Sequence, residues 1–144
     1  MNARETEAIE RWRRLLGELP VAKLLGAEAI AWHEDGERAE MAFAAPASFC
    51  NLMGNVQGGL LTAMLDMVMA FSVICAMEPG HVVPSLDIHT SYITPAKQGR
   101  ILAFGRPVRR GRSIAFMEGR LTDPEGKLLA TGTATGQIRL REAK

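Results

Sequence analysis

Histidine and cysteine are scarce in this chain, and the few present do not gather. His33, His81 and His89 stand far apart and show no metal-ligand spacing, so no metal site is expected. Cys50 and Cys75 carry no framework spacing, which fits free thiols in a reducing compartment and not a disulfide scaffold. An excess of either charge is missing too: 17 Lys and Arg face 16 Asp and Glu, a formal charge of +1. No whole-molecule field draws nucleic acid, and an anionic ligand must depend on a local basic patch. The opening residues, Met1 to Glu5, are polar, so no secretory leader is expected and the cytoplasm is the expected location. The longest apolar run, over 58–77, is interrupted by Asp66. Inserting that acid into a bilayer would cost about 2.5–3.5 kcal/mol, so the run reads as a helix buried within protein.

What is present is enough for one ordinary domain: 144 residues, 47% of them apolar. A single domain over 1–144 is expected, with 1–19 as a helical extension. Residues 5–17 carry Ile9, Trp12, Leu15 and Leu16 at helical spacing. Pro20 follows, then a short apolar piece to Leu25. Residues 26–34 and 37–45 read as a strand pair around a turn at His33 to Glu37, and 46–56 as loop. The apolar helix then runs to about Met77, where Glu78, Pro79 and Gly80 stop it. Strands are expected over 82–94, 100–110, 113–123 and 127–139. Links as short as Pro95 to Gly99 predict antiparallel neighbours throughout. The late strands span about 36 Å at 3.3 Å per residue and the helix about 30 Å. The pattern is α+β: a long curved antiparallel sheet wrapped around one central helix, with an N-terminal helix.

The stretch from Asn51 to Asp66 carries the chemistry. A Gly58-Gly59 pair at a helix start leaves N–H groups free to face a ligand. Eight residues on, Asp66 is a lone acid among Leu, Met, Val and Ala. A donor at the positive helix end can stabilise the oxyanion of an attacked ester or thioester. Asn51 or Gln57 can add an amide donor, and Asp66 can serve as nucleophile or as the base that activates water. Gly58 and Asp66 are separated by a rise of about 12 Å, whereas a reacting carbonyl must lie about 3 Å from both. If both act on one atom, the acid must come from a second copy whose helix runs antiparallel. Gly59, Thr62, Ala63, Asp66 and Ala70 form a small-residue stripe that would let a second helix or a slim ligand approach.

The run Asn51-x2-Gly54-x2-Gln57-Gly58-Gly59-x6-Asp66 resembles the signature of hotdog-fold thioesterases of the phenylacetate-degradation (PaaI) type. The segments 85–97, 110–116 and 126–132 are similar to that family as well, so the resemblance covers roughly 20–140. It implies a hotdog fold, hydrolysis of acyl-CoA thioesters, a homodimer or dimer of dimers, and no cofactor beyond the CoA carried by the substrate. It also implies roles. Asp66 matches the catalytic carboxylate, Gly58 the carbonyl-polarising N–H, and Asn51 a residue orienting the thioester or water. Ser85 falls near a serine that helps hold the water, with a loop from Asp66 about one residue longer here. Tyr92, Arg112 and Ser113 match positions touching the nucleotide end of CoA. Gln57 departs from the family, where many members have His; an amide can still orient a substrate but cannot titrate.

Arg106, Arg109, Arg110 and Arg112 border a hairpin turn, either as a solvated tip or as a clamp for CoA phosphates. Met64, Met67, Met69 and Phe71 are candidate liners of an acyl pocket, or simply core. A nucleophilic role for Cys50 finds no His nearby in sequence. A hydratase is disfavoured because no His occurs in 51–77. The competing class is a non-catalytic acyl-CoA binder or sensor with a structural Asp66.

Overall fold

Asn2 opens the first helix by accepting the Glu5 N–H, while the Glu5 carboxylate accepts the Asn2 N–H. This reciprocal cap starts α1 (Ala3–Glu18), which buries Ala8, Ile9, Trp12 and Leu16 along one side. The computed structural model describes residues 1–142; residues 143 and 144, the last two of the domain expected over 1–144, lie outside the described residues. Pro20 sits in the first turn of the short helix α2 (Pro20–Leu24). Strands β1 (Glu28–His33) and β2 (Arg38–Ala45) then pair around a turn that uses Gly36 at φ 70°. The central helix α3 spans Gly58–Ile74. After it come β3 (His81–Val82), β4 (Ser85–Tyr92), β5 (Gly99–Arg110), β6 (Ile114–Thr122), β7 (Leu128–Gln137) and β8 (Arg139–Leu140).

Six strands form one antiparallel sheet in the order β1-β2-β5-β6-β7-β4, packed against α3. This is the expected α+β hotdog arrangement. Three expectations need correction. First, β4 and β5 are not neighbours, although only residues 93–98 join them. β5 already pairs with β2 and β6, so β4 crosses to the far edge and pairs with β7. Second, the strand expected over 82–94 breaks at Val83-Pro84, because Pro84 has no N–H to give a ladder. The strand expected over 127–139 breaks opposite it at Ile138, whose N–H goes to the Ser113 carbonyl. β3 and β8 peel away as a separate pair.

Third, α3 ends at Ile74 and not at Met77. Past that point Ala76 and Met77 donate to Val73 and Ile74, tightening the last turn. Arg11 of α1 reaches across to donate to the carbonyls of Ile74 (3.0 Å), Cys75 (3.3 Å) and Met77 (2.8 Å). A cation there also suits the negative end of the helix dipole. Arg11→Met, which keeps the stem and deletes the donors, is expected to cost about 2 kcal/mol. The check is a lowered urea midpoint with an unchanged denaturant slope.

The helix lies close on the sheet because the sheet has a bare row beneath it. Gly105 is opposite Gly119, and Gly119 opposite Gly132. A Cβ at Gly105 would come within 2.7 Å of the Val68 carbonyl oxygen, at Gly119 within 3.0 Å of Met69 Cγ, and at Gly132 within 3.2 Å of Leu65 Cδ1. Backbone thus faces helix, and Leu61, Met64, Leu65, Val68 and Met69 are buried against it.

The two sheet edges differ. α1 packs along β1, and Arg13 donates to the Ala29 carbonyl there. β4 has no partner on its outer side among the described residues, and Leu86, Tyr92 and Ile93 are exposed along and just beyond it.

Candidate active site

The loop before α3 is knitted by Asn51. Its side-chain oxygen accepts the N–H groups of Met53 (3.0 Å) and Asn55 (3.3 Å), and its carbonyl accepts the Gly54 N–H (2.9 Å). Gly54 at φ 76° makes the turn possible, and Lys97 donates to Asn55 Oδ1 at 2.8 Å. With its oxygen committed, Asn51 has only its exposed Nδ2 to offer a ligand.

The last residues before the helix are also fixed. Val56 N–H donates to Ala96 O and Gln57 N–H to Phe49 O, while Gln57 O accepts from Leu60 and Leu61. Gln57 therefore serves as the N-cap through its backbone; its exposed side chain makes no cap bond. The N–H groups of Gly58 and Gly59 find no acceptor among the described residues, as expected for the first turn of a helix. The helix mouth is open, with the ring of Tyr92 against the Gly58 Cα.

Asp66 is neither sealed nor alone. It is half-buried on α3, and Ser85 Oγ at the start of β4 donates to its Oδ1 at 2.5 Å. Ser85 thus bonds the acid directly. Gly58 and Asp66 sit at opposite ends of the β4 contact: Tyr92, the last residue of β4, meets Gly58, and Ser85, the first, meets Asp66. Gly59, Thr62, Ala63, Asp66 and Ala70 all remain partly or fully exposed, while the rest of the helix is largely buried.

Other expected site residues scatter. Arg112 and Ser113 are exposed at the β5–β6 turn, at the Ser85 end of the sheet and away from Tyr92. Of the arginine cluster, Arg110 is held by Glu37 and Arg106 by Glu118, which leaves Arg109 and Arg112 without such partners among the described residues. Met64 and Met69 are core, not pocket; Phe71 stacks on Trp12 with ring centroids 5.3 Å apart. A cleft of about 630 Å³ opens between α1, the end of α3 and β3, and neither Asp66 nor Ser85 lines it. Leu15, Leu19, Phe71, Ile74, Val83 and Pro84 give it an apolar floor. Burial pushes the Cys75 thiol up to about 12, so it stays protonated and unreactive. The spacing reading missed the hydroxyls around Tyr92: Thr62 Oγ1 lies 2.9 Å from both Thr90 Oγ1 and the Tyr92 hydroxyl. The one signal was that Thr90 and Tyr92 share a strand face while Thr62 lies in the exposed stripe.

A family model of the thioesterase superfamily matches residues 53–130, over half of the chain and including both the glycine mouth and the acid. The chain belongs to this superfamily. Among curated relatives of this thioesterase-superfamily chain is human acyl-coenzyme A thioesterase 13, 32% identical over 90 residues, which are 61% of this chain and 64% of that protein. The chain therefore spans less than two thirds of that relative's length. A phenylacetic acid degradation-related protein of Ralstonia eutropha is 38% identical in structure-based alignment, over 87% of this chain and 97% of that one, with a TM-score of 0.80. The E. coli PaaI protein, at 16% identity, shares the fold over 95% of this chain and 96% of its own, with a TM-score of 0.85. The superfamily chain is thus of the hotdog, PaaI-type kind.

Proposed function

We propose that this protein hydrolyses acyl-CoA thioesters to the free acid and CoA. Asp66 acts as nucleophile or general base, and the Gly58 N–H polarises the thioester carbonyl. Water supplies the hydroxyl of the acid, the C–S bond breaks, and CoA leaves as a thiolate that takes up a proton. Each site combines Gly58 of one subunit with Asp66 of its partner in a homodimer, and a dimer of dimers is a further step of assembly. The acyl group enters the apolar cleft between α1, the end of α3 and β3, and Asn51 Nδ2 and Gln57 help orient the thioester. Arg112 and Ser113 face the nucleotide end. The protein acts in the cytoplasm, and residues 1–144 work as one domain with 1–19 as its helical extension. No helix among the described residues is long and apolar enough to cross a membrane.

One observation carries the reading. An open helix mouth and a solvent-reachable, hydrogen-bonded carboxylate lie on one exposed helix face, about 12 Å apart along the axis. That separation is too long for one chain to use both on a single carbonyl. The free β4 edge supplies the means of pairing, since two such edges related by a two-fold axis would run antiparallel, as would their helices.

The experiment follows from the geometry. Aryl, short and long acyl-CoA substrates are offered to the pure protein with a thiol reagent to read CoA release. Two inactive variants, Gly58→Val and Asp66→Asn, are then mixed after partial unfolding and refolding. A shared site predicts that roughly half the mixed material forms heterodimers, each with one intact site, so about a quarter of wild-type activity returns. A mixture as inactive as its parents would remove the shared site.

A further inference from the structure

The mouth of α3 presents a problem that the proposed chemistry does not solve by itself. Two successive glycines at a helix start have wide conformational freedom and no side chain to pack, yet an oxyanion donor works only when held in place. The preceding backbone is fixed as far as Gln57, by the bonds from Val56 to Ala96 and from Gln57 to Phe49. Beyond it, the ring of Tyr92 lies against Gly58 at close range. A Cβ built on Gly58 would lie 2.8 Å from Tyr92 Cζ, 3.0 Å from its hydroxyl and 3.1 Å from Cε1. The ring fills the space that a side chain at position 58 would occupy.

That ring is itself tied down. Thr62 Oγ1 donates to Thr90 Oγ1 at 2.9 Å. The same Thr62 Oγ1 lies 2.9 Å from the Tyr92 hydroxyl, a hydrogen bond that ties the ring to the helix. Gly58 and Thr62 are four residues apart and share one helix face. Tyr92 therefore reaches from β4 to press on the first turn of α3 and is anchored to the second. Thr90, two residues back on the same strand face, completes the chain of hydroxyls.

We infer that Tyr92, through its bond to Thr62, is a positioning residue that holds the Gly58 N–H in the direction needed to polarise the substrate carbonyl. This rests on the proposed role of the Gly58 N–H and replaces the nucleotide contact that the resemblance assigns to Tyr92. The hydroxyl is engaged with Thr62, so the phenol serves the helix and not the reacting atoms.

The test uses the whole protein in three variants. Tyr92→Phe keeps the ring and removes the tether, Thr62→Val removes the anchor at constant shape, and Thr62→Ser restores a hydroxyl. Both tether-breaking variants should lower kcat on an acyl-CoA by about 10-fold or more, with KM unchanged, and Thr62→Ser should recover most of it. Backbone ¹⁵N relaxation supplies a readout that needs no turnover: the order parameters of Gly58 and Gly59 should fall in Tyr92→Phe and Thr62→Val, with the rest of α3 unaffected. A raised KM at constant kcat would make Tyr92 a nucleotide contact and overturn the inference. So would a loss confined to Tyr92→Phe, or unchanged order parameters at both glycines. A wild-type protein without thioesterase activity would sink the proposed function alone, since the relaxation result stands apart from it.

Discussion

Asp66→Asn is expected to lower acyl-CoA turnover by about 10³-fold while leaving KM near its wild-type value. Proton abstraction by a positioned carboxylate contributes about 10²–10⁴-fold, and an amide can neither take that proton nor attack a carbonyl. The substitution is otherwise mild. An amide oxygen can still accept the bond from Ser85 Oγ, and the side chain is half-exposed in a stripe of small residues, so the fold has little reason to change. A loss in kcat with KM held is the mark of an interaction made in the transition state. Steady-state kinetics with a thiol reagent, alongside a thermal melt, checks both halves. The same variant separates the two functional classes, because a non-catalytic binder or sensor would keep its ligand affinity and have no rate to lose. Wild-type turnover in Asp66→Asn would remove the acid from the chemistry.

The second large effect concerns the fold. Gly105→Ala is expected to destabilise the protein by about 3 kcal/mol, lowering Tm by about 10 °C. The new Cβ would meet the carbonyl oxygen of Val68 at 2.7 Å and its carbon at 2.9 Å. These are backbone atoms of α3 and cannot swing aside as a side-chain tip could. Relief requires lifting the helix from the sheet, which opens the packing of Leu65, Val68 and Met69. Gly17→Ala is the control, because nothing lies within 4 Å of a Cβ there and the residue is in α1. Alanine at that position should add about 0.5–1 kcal/mol by helix propensity. Calorimetry on the pair should give shifts of opposite sign; equal shifts would mean that the close approach at Gly105 is not what forbids a side chain.

The extent to which this was readable in the chain differs from element to element. Apolar spacing found α1 and α3, and turn residues found the strands, because those signals are local. The Asn51 to Asp66 run was legible for the same reason: loop, glycine pair and acid are contiguous. What could not be read is whatever two distant segments make together. The clamp of Arg11 on the end of α3 joins residues more than sixty positions apart, and nothing around Met77 announces it. The crossing of β4 to the far edge depends on β2 having claimed β5 first. The row Gly105, Gly119 and Gly132 looks like three unrelated glycines until register aligns them. At the site, Asp66 looked unpartnered only because Ser85 lies nineteen residues away, and the contact between Tyr92 and Thr62 went unseen because thirty residues separate them.

The unequal borders of the sheet set a limit on growth. Strand addition needs an unfilled ladder on both participants, and here the β1 side is shielded by a helix whereas the β4 side is bare. When two copies join bare side to bare side, each has spent what it had, and neither can recruit a third by that route. Any further growth would have to use another surface, such as a face of the sheet or the small β3–β8 pair.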